Sequence, residues 1–364
     1  MDFSPDEGQL AVADVVTSAL GRENSWQGLI DGGVLGFGVP ERLGGDGLGL
    51  PEITTALMEI GRHGTVSPAL ATLGLALLPL LDVASADQQD RYLAGVGSGG
   101  ALSAALNEPG SSLPDRPATS LSEGRLTGTK VGVPYAEQAA YLVVTTAAGV
   151  AVVAPTAEGV TLTKTPTANG SEEYVVTFDD VAVPDADVIA GDDAVRRVNR
   201  LALAATGAFA AGLMAGALRL TADYVANRHQ FGRPLSTFQT VAAQLAEVYI
   251  ASRTLTLAAT SVAWRLAEGW DADADLDVLG YWLTSQAPPV MQTCHHLHGG
   301  MGMDITYPMN RYYSSIKDLT RLLGGPSHRL DLVGAALGGE SPEGLGLGGE
   351  SPEELSLGER SDGR

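Results

Sequence analysis

The chain has 364 residues, 45% of them hydrophobic, which is enough apolar material for two or three packed domains. Its formal net charge of −21 and pI near 4.5 argue against nucleic-acid or anionic-membrane binding, since both need basic surface to displace counterions. Cys294 is the single cysteine, so an intrachain disulfide and a thiolate zinc cage are excluded; with no basic start or apolar core of a signal peptide in the first residues, a cytoplasmic setting is expected.

Residues 1–98 read as an N-terminal helical domain, with helices expected at about 6–20, 26–32, 51–63 and 69–81, divided by Gly and Pro. The longest apolar run, 67–84, is interrupted by Pro68 and Pro79 and has polar flanks, so it reads as a buried helix pair rather than a membrane span. The glycine-rich stretch 36–45 lacks the preceding strand and terminal Lys-Ser/Thr of a phosphate-binding loop. Residues 99–190 form a middle β domain. Short apolar or alternating runs at 141–145, 150–153, 160–163 and 174–178 predict strands of a small antiparallel sheet or barrel. Residues 191–336 form a C-terminal helical bundle, with long helices expected at 195–227, 237–268 and 275–297 and shorter ones at 310–323 and 327–336. Long helices that are apolar on more than one face belong in a bundle core or at a subunit interface. In the tail, 337–364, the run Leu337-Gly-Gly-Glu-Ser-Pro-Glu343 returns at Leu347-Gly-Gly-Glu-Ser-Pro-Glu353. That acidic Gly/Ser/Pro/Glu-rich composition predicts disorder, and the fold class is α+β, mostly α.

Two motifs carry chemistry. In Arg228-His-Gln-Phe-Gly232, running on to Gln239, Arg228 follows a helix and can make charge-assisted hydrogen bonds to a diphosphate, Phe231 can pack nearby, and Gln239 offers an amide. In His296-Leu297-His298-Gly299-Gly300, two glycines let backbone N–H groups approach an anion closely. A loop arginine paired with a surface carboxylate is the plainer reading of Arg228 taken alone. A metal site on His295, His296 and His298 is not expected, because no carboxylate or cysteine nearby completes a ligand set.

Together these motifs, and the order helical, β, helical over 1 to about 336, resemble the acyl-CoA dehydrogenase family. The resemblance implies an N-terminal helical domain, a middle β-barrel, a C-terminal four-helix bundle and an FAD cofactor. It also implies that Arg228, Phe231, Gln239, His296, Leu297, His298, Gly299 and Gly300 grip the diphosphate and adenosine half of an FAD held mainly by a neighbouring subunit; the family usually has Gln where His296 stands. The family's catalytic glutamate, which takes the α-proton of an acyl-CoA thioester, falls on Leu323 in an ungapped alignment, or on Gly324 after a one-residue shift. The alternative position used by a minority of members is Asn199, and none of the three is a base at pH 7.

The flavin-ring half departs from the family pattern as well. Asn107-Glu108-Pro109-Gly110-Ser111-Ser112 lacks the usual Asp, and Gly132-Val133-Pro134 stands where a Trp-x-Thr strand lies against the isoalloxazine. The resemblance is therefore to non-catalytic subunits of heteromeric acyl-CoA dehydrogenases, as in actinobacterial steroid side-chain degradation. It implies an α2β2 assembly with a catalytic homologue, an acyl-CoA substrate and an electron-transfer flavoprotein as electron acceptor. The competing expectations are a self-sufficient homotetramer using Asp304 or Glu247 as base, and a scaffold that binds no flavin. Glu108 is a third carboxylate near the expected flavin, read more simply as capping a turn or pairing with a basic neighbour.

Overall fold

The computed structural model describes residues 3–191 and 193–338; from residue 339 on, the tail expected to be disordered lies outside the described residues. Helix α1 (Glu7–Arg22) starts at a capping box in which Gln9 N–H donates to Asp6 Oδ1 at 2.8 Å and Asp6 N–H donates to Gln9 Oε1 at 3.0 Å. Helices α2 (Trp26–Asp31) and α3 (Leu50–Arg62) follow where expected. The 67–84 run departs from the expected helix pair. A π-helical segment, Leu70–Leu77, runs directly into α4 (Leu78–Val83), and the wide turn that carries Leu78 N–H to the Leu73 carbonyl admits Pro79 without a break. Helix α5 (Ala86–Leu93) has only Tyr92 and Leu93 buried, too few to show a period in sequence, yet Ser85 and Gln88 cap its start reciprocally.

The β region comprises two four-stranded sheets with strand orders β1-β4-β5-β8 and β2-β3-β7-β6. The first holds β1 (Ala101–Ala105), β4 (Ala139–Thr146), β5 (Gly149–Val153) and β8 (Val188–Ile189); the second holds β2 (Ser120–Ser122), β3 (Arg125–Pro134), β6 (Val160–Thr165) and β7 (Glu173–Ala182). One pairing departs from the antiparallel expectation, since β1 runs parallel to β4. The first sheet is buried on both faces. Leu102, Ala104, Val143, Val150 and Val152 join the helical core, while Ala105, Leu142, Val144, Ala151 and Val153 pack between the sheets with Val176 and Phe178. This two-sided burial explains why these strands read as continuous apolar runs.

Helix α6 (Ala194–Asn227) is the axis of the C-terminal bundle. By length and composition it could cross a membrane, but 89% of its most apolar window is buried in the protein, as in a core helix. A short hairpin of β9 (His229–Gln230) and β10 (Arg233–Pro234) leads to α7 (Gln239–Ala267), and then come α8 (Asp273–His298), α9 (Met309–Leu322) and α10 (Gly325–Gly338). Ion pairs fix the directions. Arg200 near the start of α6 meets Asp273 at the start of α8, and Arg265 near the end of α7 meets Asp275, so α7 runs opposite to α6 and α8. The end of α6, the start of α7 and the end of α8 therefore share one pole of the bundle.

Helices α3 and α6 cross closely at Gly61 and Gly212. A Cβ on Gly212 would lie 1.9 Å from the Met58 carbonyl oxygen, and one on Gly61 would lie 2.2 Å from that of Phe209. Gly212→Ala must push the helices apart, an overpacking cost of about 1–3 kcal/mol or more. Thermal denaturation is expected to show a clear drop for Gly212→Ala and none for Gly21→Ala, where a Cβ meets nothing within 4 Å.

Candidate functional site

The bundle pole gathers both sequence motifs. Arg228 caps α6, its N–H donating to the Tyr224 carbonyl at 2.8 Å, and the hairpin turns through Phe231 and Gly232, both at positive φ (54° and 80°). Glycine and asparagine suit such a two-residue turn; a phenylalanine there is strained by about 1–3 kcal/mol. The strained ring is not used for packing the chain's own core. Phe231 is 91% exposed and meets Phe238 edge to face at 6.1 Å between centroids. Arg228 makes no ion pair among the described residues, and it, Gln239 and His296 are exposed. Gly299, at φ 56° and ψ −135°, ends α8 with open space where a Cβ would be, and Gly300 is also exposed. The Arg228 and Gln239 side chains are donors with no partner among the described residues and fit an anionic ligand presented from outside the chain, while the Gly299 N–H already donates to the His296 carbonyl.

The other two motif residues serve the inside. Leu297 is buried, and His298 is 1% exposed with Nδ1 2.8 Å from the Cys294 carbonyl and its ring stacked on Tyr224 at 4.6 Å. Burial lowers the pKa of His298, so the stack is with a neutral imidazole. Tyr224 thus joins the two motifs: its carbonyl holds Arg228 and its ring supports the turn before Gly299. Sequence reasoning passed over Tyr224, although its place four residues before Arg228 on α6 was the available signal. His295 sits apart from any ligand set, its Nε2 3.2 Å from Met303 Sδ, and no metal cluster occurs among the described residues.

If the strain at Phe231 exists to aim its ring outward, relieving it should separate stability from binding. Phe231→Asn, which suits a positive φ, is expected to raise the thermal midpoint of the isolated chain slightly and to weaken whatever the pole binds. A thermal melt and a ligand-retention assay on the same variant check this.

The opposite region, where β3 meets α9, is closed. Asn107 Nδ2 and Ser112 Oγ both donate to the Leu322 carbonyl, at 2.8 and 2.6 Å, drawing the 107–112 loop onto the end of α9. Arg321 pairs with Glu173 on β7, and Asp318 accepts the N–H groups of Ala168 and Asn169 at 3.0 and 2.9 Å. Between Gly132, Pro134, Leu322 and Leu323 there remains a cavity of about 10 Å³, with room for about one water. A second cavity beside it, lined by Tyr135, Glu173, Phe209 and Leu319, is about 80 Å³, well under the roughly 300 Å³ at which small-molecule sites begin. Gly132 adopts φ 65° at a bulge in β3, and Val133 and Pro134 stay paired with Tyr174 and Glu173. The diphosphate half of an FAD fits residues at the pole; the ring half does not fit this interface as it stands.

Each candidate base position is filled by a structural group. Leu323 is 1% exposed and its carbonyl accepts from Arg329 Nε at 2.8 Å. Gly324 sits at φ 82°, where a Cβ would meet His328 and Ser112. Asn199 Nδ2 donates to the Leu113 and Pro114 carbonyls at 3.1 and 3.0 Å, which tethers that loop to α6. Beyond Asn199 opens a wider cavity, about 600 Å³, rimmed by Asp115, Arg116, Arg200, Asp277 and Arg329. Asp304 is exposed and accepts from the Thr306 N–H and hydroxyl, which lower its pKa. Glu247, whose neighbours in sequence are core-type residues, lies exposed on the outside of α7.

Glu108 is likewise engaged. It is 7% exposed and accepts from the Ala118 and Thr119 N–H groups, the Thr119 hydroxyl and the Lys130 ammonium, the last at 2.9 Å. Burial raises its pKa, but these four donors outweigh burial and hold the carboxyl down at about 2. It is a pinned carboxylate rather than a proton acceptor.

Comparison with known proteins agrees with the architecture. The family model for the acyl-CoA dehydrogenase N-terminal domain matches residues 6–100, and that for the C-terminal domain matches 197–336. The chain is 70% identical over 335 residues to the acyl-CoA dehydrogenase FadE28 of Mycobacterium tuberculosis, covering 92% of this chain and 98% of that protein. It is 32% identical to FadE27 of the same organism, covering 86% and 87%. Among solved structures it is similar to a chain of the ChsE4-ChsE5 complex from Mycobacterium tuberculosis, with TM-score 0.86, 29% identity, and 94% and 100% coverage. It is similar also to a chain of the Tcur3481-Tcur3483 steroid ACAD, with TM-score 0.85, 29% identity, and 92% and 98% coverage.

Proposed function

Because the chain belongs to the acyl-CoA dehydrogenase family, whose cofactor is FAD, we propose that it is the non-catalytic subunit of a heteromeric enzyme, lending FAD-binding residues to a catalytic homologue. The observation that carries this reading is the contrast between the two ends of the site. Arg228, Gln239, Gly299 and Gly300 stand exposed, the side chains of the first two without a partner among the described residues, while the interface that would receive the chain's own flavin ring is tied shut by Arg321–Glu173, Asp318 and Asn107. Loss of function at random would not sort retained and lost residues into these two groups.

In this reading Arg228 and Gln239 hold the diphosphate of an FAD whose ring lies in the partner, and Gly299-Gly300, with no side chains in the way, lets the same anion approach the backbone closely. FAD supplies the hydride acceptor; the partner supplies the base. The assembly is α2β2, its substrate a bulky acyl-CoA, and its electrons leave to an electron-transfer flavoprotein. That relatives of similar fold occur as two-chain complexes, one of them described as a steroid ACAD, supports the heteromeric form and a steroid acyl group. The domain limits proposed are 1–98, 99–190 and 191–336. The self-sufficient alternative is disfavoured by the surface positions of Asp304 and Glu247.

Turnover of the co-purified complex tests the division of labour. Alanine at the catalytic homologue's glutamate is expected to abolish activity, whereas Asn199→Ala in this chain leaves kcat within a few-fold. Abolition of turnover by Asn199→Ala, with the complex still assembled, would place chemistry in this chain.

A further inference from the structure

The cavity of about 600 Å³ beyond Asn199 lies between the starts of α6 and α8, the 111–116 loop and α10, and the functional reading above makes no use of it. One wall carries Arg329, which is 3% exposed and packs its aliphatic stem on α8 at Gly280, where an added Cβ would lie 3.0 Å from Arg329 Cδ. Its Nε donates to the Leu323 carbonyl at 2.8 Å, but Nη2 has no partner among the described residues. Two nearby arginines are engaged elsewhere, since Arg196 and Arg200 both pair with Asp273. Asp277 acts on Arg329 through space, yet the two form no ion pair among the described residues. A buried charge without a close counter-ion is costly, so this guanidinium is set for an anion that the chain itself does not supply. The walls beside it, Leu203, Leu276 and Leu332, are apolar.

The inner end of the cavity is plugged. Leu113 lines it on one side and the cavity of about 10 Å³ at the ring interface on the other. Leu113 sits at φ 49°, a conformation that favours glycine, and is held there from both ends. Its N–H donates to Asn107 Oδ1 at 2.9 Å, and its carbonyl accepts from Asn199 Nδ2 at 3.1 Å. The cavity is thus a chamber of its own rather than a passage to the ring interface. We propose that this chamber is a non-catalytic binding site for a monocarboxylate with an apolar body, its head on Arg329 and its body along Leu203, Leu276 and Leu332. A carboxylate matches the planar edge that the guanidinium leaves free. Asp277 and the exposed Asp115 also line the chamber, so a second negative charge on the ligand meets repulsion. The ligand is an effector and not a substrate: it bridges α10 to the starts of α6 and α8 and is kept from the ring interface by Leu113.

Calorimetric titration of the full chain tests this with decanoate, decanol, decyl phosphate and decanoyl-CoA as probes. Decanoate is expected to bind saturably, once per chain, and to slow hydrogen exchange over 111–116 and 328–336. Decanol, which lacks the charge, and decyl phosphate, which carries more of it, are expected to bind about tenfold more weakly or worse. Arg329→Met is expected to weaken decanoate by about tenfold or more. Ala336→Trp alters an exposed residue at the rim, obstructs the chamber without disturbing the core, and is expected to weaken decanoate similarly, so the outcome does not hang on the folding of the Arg329 variant. Absence of saturable decanoate binding, or undiminished binding by both variants, overturns the site. Equal affinity for decanol overturns the carboxylate head. Protection of 328–336 by decanoyl-CoA and not by decanoate makes the chamber a thioester channel and overturns the proposal as well. Cofactor donation from the pole stands or falls separately, on Arg228→Ala.

Discussion

Arg228→Ala is expected to leave the heteromeric complex assembled but pale. The side chain is exposed and makes no ion pair among the described residues, so its removal costs the fold almost nothing. A hydrogen bond to a charged group contributes about 1.5–3 kcal/mol, which corresponds to roughly 10- to 150-fold in the dissociation constant of the flavin. The ratio of flavin to protein absorbance after gel filtration reads this directly. Gln239→Ala, which removes a neutral amide, should show a smaller loss of the same sign. A complex that keeps its full colour in the Arg228 variant would favour the scaffold reading, in which the pole has no cofactor to hold.

The second large effect concerns stability. Lys130 is fully buried, with its ammonium 2.9 Å from Glu108 and 3.0 Å from Thr145 Oγ1. Removing one member of a buried pair leaves the other charge uncompensated, so Lys130→Met is expected to cost about 3–5 kcal/mol and to lower the thermal midpoint by several degrees. The acid limb carries a separate signature. Because the folded pKa of Glu108 is depressed to about 2 from an ordinary value of 4.5, its contribution is fully present above pH 4.5 and is lost as pH falls toward 2. Glu108→Gln should therefore be less stable than wild type at pH 7 and show a flatter decline between pH 4.5 and 2. Flavin content and kcat of the assembled complex should stay unchanged in this variant, as befits a carboxylate that pins a loop. A loss of turnover without loss of stability would instead make Glu108 part of the chemistry.

Much of the fold was legible because the long helices repeat their apolar pattern over many turns: α6, α7 and α8 lie within a few residues of their expected bounds. Helix α5 was not, since eight residues with two buried side chains carry no period. Strand β1 is mostly alanine, and β3 carries Gly128, Gly132 and Pro134, so neither has the β-branched run by which strands are read. At the site, Arg228, Gly299 and Gly300 lie exposed at helix ends, which a polar or glycine motif between apolar helices leads one to expect. The resemblance placed Leu297 and His298 with them, yet Met291, Cys294 and Leu297 already mark the inward side of α8. The closure of the ring cradle could not be read at all. Arg321 and Glu173 are 148 residues apart, and only the packing of α9 on β7 brings them together.

The most direct measurement is the flavin-to-protein ratio of this chain purified alone and purified with a catalytic homologue. The account predicts a colourless chain alone, and a yellow complex holding one FAD for each pair of unlike subunits. A chain that carries stoichiometric FAD by itself and turns over an acyl-CoA would contradict it.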